Sequence, residues 1–179
     1  MGKILRVDLG TGKFTDLNLP EEPLLRKYWG GQLFAEYVLL NELPLNIDPY
    51  DSKNVIVGMT GPVTGTGLTP GGTKICFVYL SPATRYTLGR AATSGYFGAS
   101  LKNSGYDGLI ITGAAQKPIY LYVGEDKVEL RDAGRVWAKA CATRKQYYVR
   151  SRVIRTRAWA PSARRAKISF APPCSSTTT

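Results

Sequence analysis

Between Thr60 and Thr73 the chain places five glycines in fourteen positions, TGPVTGTGLTPGGT. Glycine at that density lets consecutive peptide units adopt conformations that side chains forbid. Several N–H groups can then point into one concavity and hold an anion. The loop passes through Lys74 into the apolar run Ile75–Leu80, a predicted strand. A second segment, GRAATSGYFGASLK (89–102), begins with small and hydroxyl residues. Its spacing predicts a helix over Ser94–Ser104, with Thr93 or Ser94 as N-cap and Gly105 ending it. A helix start presents orphan N–H groups and a partial positive charge to an anion, and Ala91, Ala92 and Gly95 keep bulk away from it. Each segment alone also fits a plainer reading, a wide connection and an ordinary capped helix.

Two familiar phosphate patterns fail on inspection. Gly67 and Gly72 have the P-loop spacing, but Thr73-Lys74 reverses the Lys-Ser/Thr order, and a strand follows where a helix is required. The dinucleotide pattern G-x-G-x-x-G is absent.

The chain has 179 residues and a formal net charge of +11, a value that ordinarily points to nucleic acid or another acidic partner. Its distribution argues otherwise. Residues 140–179 carry seven Arg, two Lys and no acid, whereas 1–139 hold 15 basic and 13 acidic residues. The basic character thus belongs to the tail. Three cysteines (Cys76, Cys141, Cys174) and no histidine leave no C-x-x-C pair for zinc or an iron–sulfur cluster. Cys76 lies in an apolar run and is expected to be a buried, inert thiol. No apolar stretch is long enough for a membrane span, and the N-terminus lacks a signal-peptide core, so no membrane and a reducing cytoplasm are expected.

Lys3–Leu9 and Phe14–Leu19 alternate on either side of Gly10-Thr11-Gly12, which predicts a hairpin. Pro20, Glu21 and Glu22 suit the first turn of a helix. Leu24, Leu25, Tyr28 and Trp29 keep its spacing, and Leu33, Phe34, Tyr37, Val38 and Leu40 form a second apolar stripe after Gly30-Gly31. Core packing is the expected role of these aromatics. Strands are predicted at Asn54–Met59, Lys74–Leu80, Leu109–Thr112, Pro118–Val123 and Lys127–Arg131. Hairpin-paired strands with few helices give an α+β fold with antiparallel or mixed sheets.

Taken in order, MGKILRVDLGTGKFTDLNLPEEPLLRKYWGG, SKNVIVGMTGPVTGTG, GGTK, LSP, SGYFGASLKNSGYDGLIITG, KPIYLYV and VELRDAGRVWAK resemble the N-terminal domain of the aldehyde:ferredoxin oxidoreductases over nearly all of 1–139. The resemblance implies an incomplete form of that two-sheet domain, the base beneath a tungsten (or molybdenum) bis-pterin cofactor whose metal is held by pterin dithiolene sulfurs. By position, Lys74 stands where relatives usually have an arginine near pterin or phosphate, keeping the charge without the bidentate fork. Ala92 stands where relatives often have asparagine, whose backbone carbonyl helps coordinate a Mg²⁺ bridging the two pterin phosphates. Thr93, Ser94 and Gly95 follow as implied pterin or phosphate contacts. The implied chemistry is oxidation of an aldehyde to a carboxylic acid, with electrons passing through a [4Fe–4S] cluster to ferredoxin. The cluster cysteines and the substrate channel belong to later domains of the family. Neither catalytic residues nor metal-ligating side chains are assigned in this chain, which is not expected to turn over alone.

From residue 140 neither period 2 nor period 3.6 persists, and disorder is expected. Reading the codons of Ala158–Lys167 from each third base permits Ile-Gly-Pro-Ala-Gly-Glu, and the family carries Gly-Pro-Ala-Gly-Glu at about this distance. The tail 140–179 is therefore read as a frameshift product beginning near residues 139–144, against a genuine basic extension. Two further functions compete: a small nucleic-acid-binding protein using Tyr147, Tyr148 and Trp159 among the tail arginines, and a standalone pterin-carrier subunit. Nucleic acid is the less favoured partner, because the folded part is nearly neutral.

Overall fold

The computed structural model describes residues 2–69, 72–84, 87–124, 127–135 and 137, together with the backbone of 166–170. β1 (Lys3–Asp8) and β2 (Phe14–Asn18) form the expected hairpin, paired Lys3↔Asn18 through Val7↔Phe14. Asp8 closes its turn: its carboxylate accepts from the Gly10 amide (2.8 Å) and the Thr11 hydroxyl (2.7 Å). These bonds, the Thr11 hydroxyl foremost, hold the Asp8 carboxyl below its usual range.

Two helices follow, α1 (Glu22–Tyr28) and α2 (Gly31–Glu42). The proline in the first turn of α1 is Pro23 rather than Pro20, because the helix begins at Glu22. It ends at Trp29, which takes a left-handed conformation (φ 55°). β3 (Ile56–Thr60), β4 (Ile75–Leu80) and β5 (Leu88–Thr93) precede the short helix α3 (Phe97–Asn103), and β6 (Tyr106–Thr112) follows it. These strands form one mixed sheet in the order β2-β1-β6-β3-β4-β5, with β1 and β6 parallel and the other pairs antiparallel. β7 (Ile119–Val123) and β8 (Val128–Asp132) form a hairpin in a second sheet of order β8-β7-β9.

The last strand, β9 (Ala166–Phe170), lies in the segment expected to be disordered. It pairs antiparallel with β7, from Ile119↔Phe170 to Val123↔Ala166, and covers an edge that β7 would otherwise present. The rest of the 140–179 expectation falls outside the described residues.

The large sheet is covered on both faces. On one face Ile4, Val57, Met59, Val78 and Ile110 pack against Phe34, Ala35 and Leu39 of α2. On the other, Leu5, Val7, Ile75 and Leu109 meet Leu101 of α3 and Leu121 and Val123 of the second sheet. This double burial explains why β6 reads as the unbroken apolar run Leu109-Ile110-Ile111 rather than an alternating one. The stripe predicted for α2 is only partly core. Phe34 and Leu39 are buried and Tyr28 and Tyr37 pack beside them, but Trp29 (75%), Leu33 (57%) and Leu40 (67%) stand exposed. Trp29 lines an open cavity with Phe34, Met59 and Pro62.

Candidate functional site

The glycine-rich segment is a tied loop. Thr64, buried at its base, accepts from the Gly61 amide (3.1 Å) and donates to the Lys74 carbonyl (3.2 Å). The Gly65 amide donates to Gly72 O at 2.8 Å, so the two limbs are joined. From outside, Lys102 Nζ donates to Pro62 O (3.2 Å), and Thr60 Oγ1 donates to Asp107 O (2.7 Å). Helix α3 lies directly against the loop's exit. A Cβ added to Gly98 would come within 2.8 Å of Thr73 O and 3.2 Å of Lys74 O, so only glycine admits that approach.

The second segment departs from expectation. Thr93 does not cap a helix; it is the last residue of β5, and its hydroxyl donates to Ser94 O at 3.3 Å. α3 starts only at Phe97, after Tyr96 in the N-cap position, and no side chain caps it. Two local facts move the boundary. Pairing with β4 holds residues 88–93 extended, and Gly95 takes φ +93°, which interrupts any helix started at Ser94. A helix of seven residues whose Gly98, Ala99 and Ser100 are buried presents no open N-terminus. What the segment does present is the exposed end of β5 and the turn Ser94–Tyr96.

Strand pairing brings the two segments together. The register matches Ile75 with Thr93 and Cys76 with Ala92, and Lys74 immediately precedes Ile75. Lys74, Ala92, Thr93, Ser94 and Gly95 therefore meet at one end of the large sheet, all exposed. They straddle the sheet: Ala92 shares a face with Cys76 and Val78, toward α2, while Thr93 shares the opposite face with Ile75. Among the described residues nothing lies within 4 Å of a Cβ built on Gly95, so its backbone is open to them. Among the described residues Lys74 has no salt-bridge partner, and its charge faces solvent at the foot of the loop.

Sequence reading does not single out Arg90 and Gln32. Arg90 Nη1 donates to Gln32 Oε1 at 2.5 Å, and Gln32 Nε2 donates to Glu36 Oε1 at 2.7 Å, linking β5 to the first turns of α2. The only available signal, the two-residue step from Arg90 to Ala92, acquires meaning once 88–93 is known to be a strand. Cys76 lies between these groups and is half-buried. Burial pushes its thiol up, the Arg90 charge opposes that shift, and the Glu36 charge adds to it. Among the described residues no group of three or more His, Cys, Asp or Glu side chains lies together. Nor is any described helix long and apolar enough to cross a membrane.

The architecture is that of an α+β domain with an exposed, basic, glycine-lined end. Residues 4–168 match the family model for the N-terminal domain of aldehyde ferredoxin oxidoreductase, and the chain belongs to that family. It is 41% identical over 138 residues to a tungsten-containing aldehyde ferredoxin oxidoreductase of Pyrococcus horikoshii, covering 77% of this chain and 22% of the relative. It is also 39% identical over 139 residues to the WOR-like subunit of an aliphatic sulfonate oxidoreductase of Pyrococcus furiosus, covering 76% of this chain and 22% of that one. Among solved structures it resembles the active-site complex BamBC of benzoyl coenzyme A reductase bound to 1,5-dienoyl-CoA. That match has a TM-score of 0.78 and 27% identity, and covers 84% of this chain and 22% of the other. The chain thus spans about 22% of the length of the relatives it matches.

Proposed function

We propose that residues 1–139 are the pterin-binding base of a tungsten- or molybdenum-dependent oxidoreductase that converts aldehydes to carboxylic acids. The observation that supports this reading is the convergence of Lys74 with the Ala92–Gly95 segment through the Ile75↔Thr93 register. The residues present fit a phosphate-bearing group. Lys74, without a salt-bridge partner among the described residues, supplies a cation, and the Thr93 and Ser94 hydroxyls stand exposed beside it. Gly95 leaves its peptide open to close approach. Ala92 lies on an edge strand, where alternate carbonyls have no ladder partner, so its carbonyl could serve a bridging Mg²⁺ without any help from its side chain.

When bound, the metal–bis-pterin group supplies the two-electron chemistry. This chain's residues hold and orient its phosphates, with Lys74 acting as a point charge rather than a fork. The [4Fe–4S] cluster, the ferredoxin that receives the electrons and the aldehyde channel are proposed for domains outside this chain, so the chain alone is inactive. In this proposal residues 140–179 are a frameshift product. The DNA across codons 135–179 tests it: an open shifted register encoding Gly-Pro-Ala-Gly-Glu supports it, and early stop codons there overturn it.

The binding role is tested with inorganic pyrophosphate and Mg²⁺ as the probe, followed through the backbone amide resonances of the 179-residue protein. Saturable shifts at Ser94, Gly95 and Tyr96, weakened about tenfold in Lys74→Gln, are expected. No saturable response at these amides would overturn the reading.

A further inference from the structure

We infer that Arg90, held in place by Gln32, is a second cation of this anion site, so that an anionic ligand is gripped from both sides of Ala92. The inference rests on the reading of Lys74 and the Ala92–Gly95 segment as a phosphate site, and adds residues that reading does not contain. The register carries it. Val78 faces α2, its partner is Arg90, and the next pair on the same face is Cys76↔Ala92. Arg90 and Ala92 are two residues apart on one side of β5, about 7 Å between Cα atoms in an extended strand. Lys74, two residues before Cys76 and just ahead of β4, is exposed beside the far end of this strip. The small side chain of Ala92 leaves the strip between the two cations open.

Arg90 has donors to spare. Among the described residues its partner is Gln32 Oε1, one bond for a guanidinium with five N–H groups. Gln32 is a neutral acceptor, so it fixes the guanidinium without neutralising it, and its own amide is anchored on Glu36 Oε1. A solvated surface arginine needs no such relay. Here the relay reduces the orientational freedom that a flexible side chain would lose on gripping an oxyanion. Gln32 is thus a positioning residue and Arg90 a binding residue. A planar fork at this point also supplies the bidentate geometry that Lys74 lacks.

The test uses the same probe, Mg²⁺ with inorganic pyrophosphate, on the 179-residue protein and five variants. Arg90→Gln is expected to weaken binding about tenfold, and Arg90→Lys to recover part of the loss. Gln32→Leu should weaken it less, and the Gln32→Leu/Arg90→Gln double variant should bind no worse than Arg90→Gln alone, because the glutamine acts only through the arginine. If Lys74→Gln weakens binding while Arg90→Gln leaves it at the parent value, the inference is overturned and the phosphate reading stands. If the parent itself gives no saturable response, both fall. Because Arg90 is exposed on an edge strand, Arg90→Lys and Arg90→Gln should keep the parent melting temperature. A strictly additive double variant would show that Gln32 does not position Arg90.

Discussion

Lys102 Nζ and Asp107 Oδ1 lie 3.2 Å apart with both side chains largely withdrawn from water (8% and 16% exposed), and each has a second partner. Lys102 also donates to Pro62 O, at the entrance of the glycine loop, and Asp107 also accepts from the Gly2 amide at 2.9 Å. One ion pair therefore ties the start of β1, the end of α3, the start of β6 and the loop.

Breaking that pair from one side leaves a largely buried charge without its partner, which costs far more than the intact pair contributes. Lys102→Met is expected to destabilise the domain by about 3 kcal/mol, and the double change Lys102→Met/Asp107→Leu by distinctly less. Denaturant melts of the three proteins check this. In the single variant, amide exchange at Gly61–Thr66 should also quicken, because the loop has lost its outer tether.

Gly98 sits where α3 touches the backbone of Thr73 and Lys74. Gly98→Ala would drive a methyl to within 2.8 Å of a carbonyl oxygen that belongs to the chain and cannot swing aside. A loss of about 1–3 kcal/mol is expected, measured as a lowered melting midpoint. Because the clash is with Thr73 and Lys74, probe binding should weaken as well, whereas an equally destabilising change in the second sheet should leave it intact.

Tyr106 donates to Asp16 Oδ1 at 3.0 Å, and burial first, then this bond and the Asp16 charge, push its phenol up to about 12. The folded state thus holds this proton more tightly than the unfolded chain, whose phenol ionises near 10. The associated stability is fully present below pH 10 and is lost as pH rises toward 12. Tyr106→Phe should flatten the fall in melting temperature between pH 10 and 12. Absorbance at 295 nm should show the loss of a phenol ionising at about 12 with the substitution.

The Cys76 thiol is raised mainly by burial, with Arg90 pulling it down and Glu36 pushing it up. At pH 8 its alkylation by iodoacetamide should be slower than that of an unfolded cysteine, read peptide by peptide in a mass spectrometer. Arg90→Gln should slow it further and Glu36→Gln should speed it. Equal rates in all three proteins would show that neither charge reaches the thiol.

The elements whose signals are local were legible in the chain. The β1–β2 hairpin follows from alternation around Gly10-Thr11-Gly12, and the glycine loop from its composition. β5 was not legible: LGRAAT is neither alternating nor rich in β-branched residues, and only its pairing with Ile75–Leu80 makes it a strand. The same pairing cancels the helix start expected at Ser94. β9 is equally invisible, since it depends on β7, more than forty residues earlier in the chain. The exposed Leu33 and Leu40 show the converse, an apolar period correctly read as helical whose burial the fold leaves incomplete.

By itself the sequence determined the family, the α+β character and the glycine-rich loop between Thr60 and Thr73, because motif order, side-chain periodicity and glycine content are properties of neighbouring residues. Tertiary structure alone decided that the exit of this loop meets the end of β5, that Thr93 ends a strand instead of opening a helix, and that Arg90 and Ala92 lie on one face of that strand. Each of these follows from the register of β4 against β5, and register is set by contacts between strands, which no local pattern encodes.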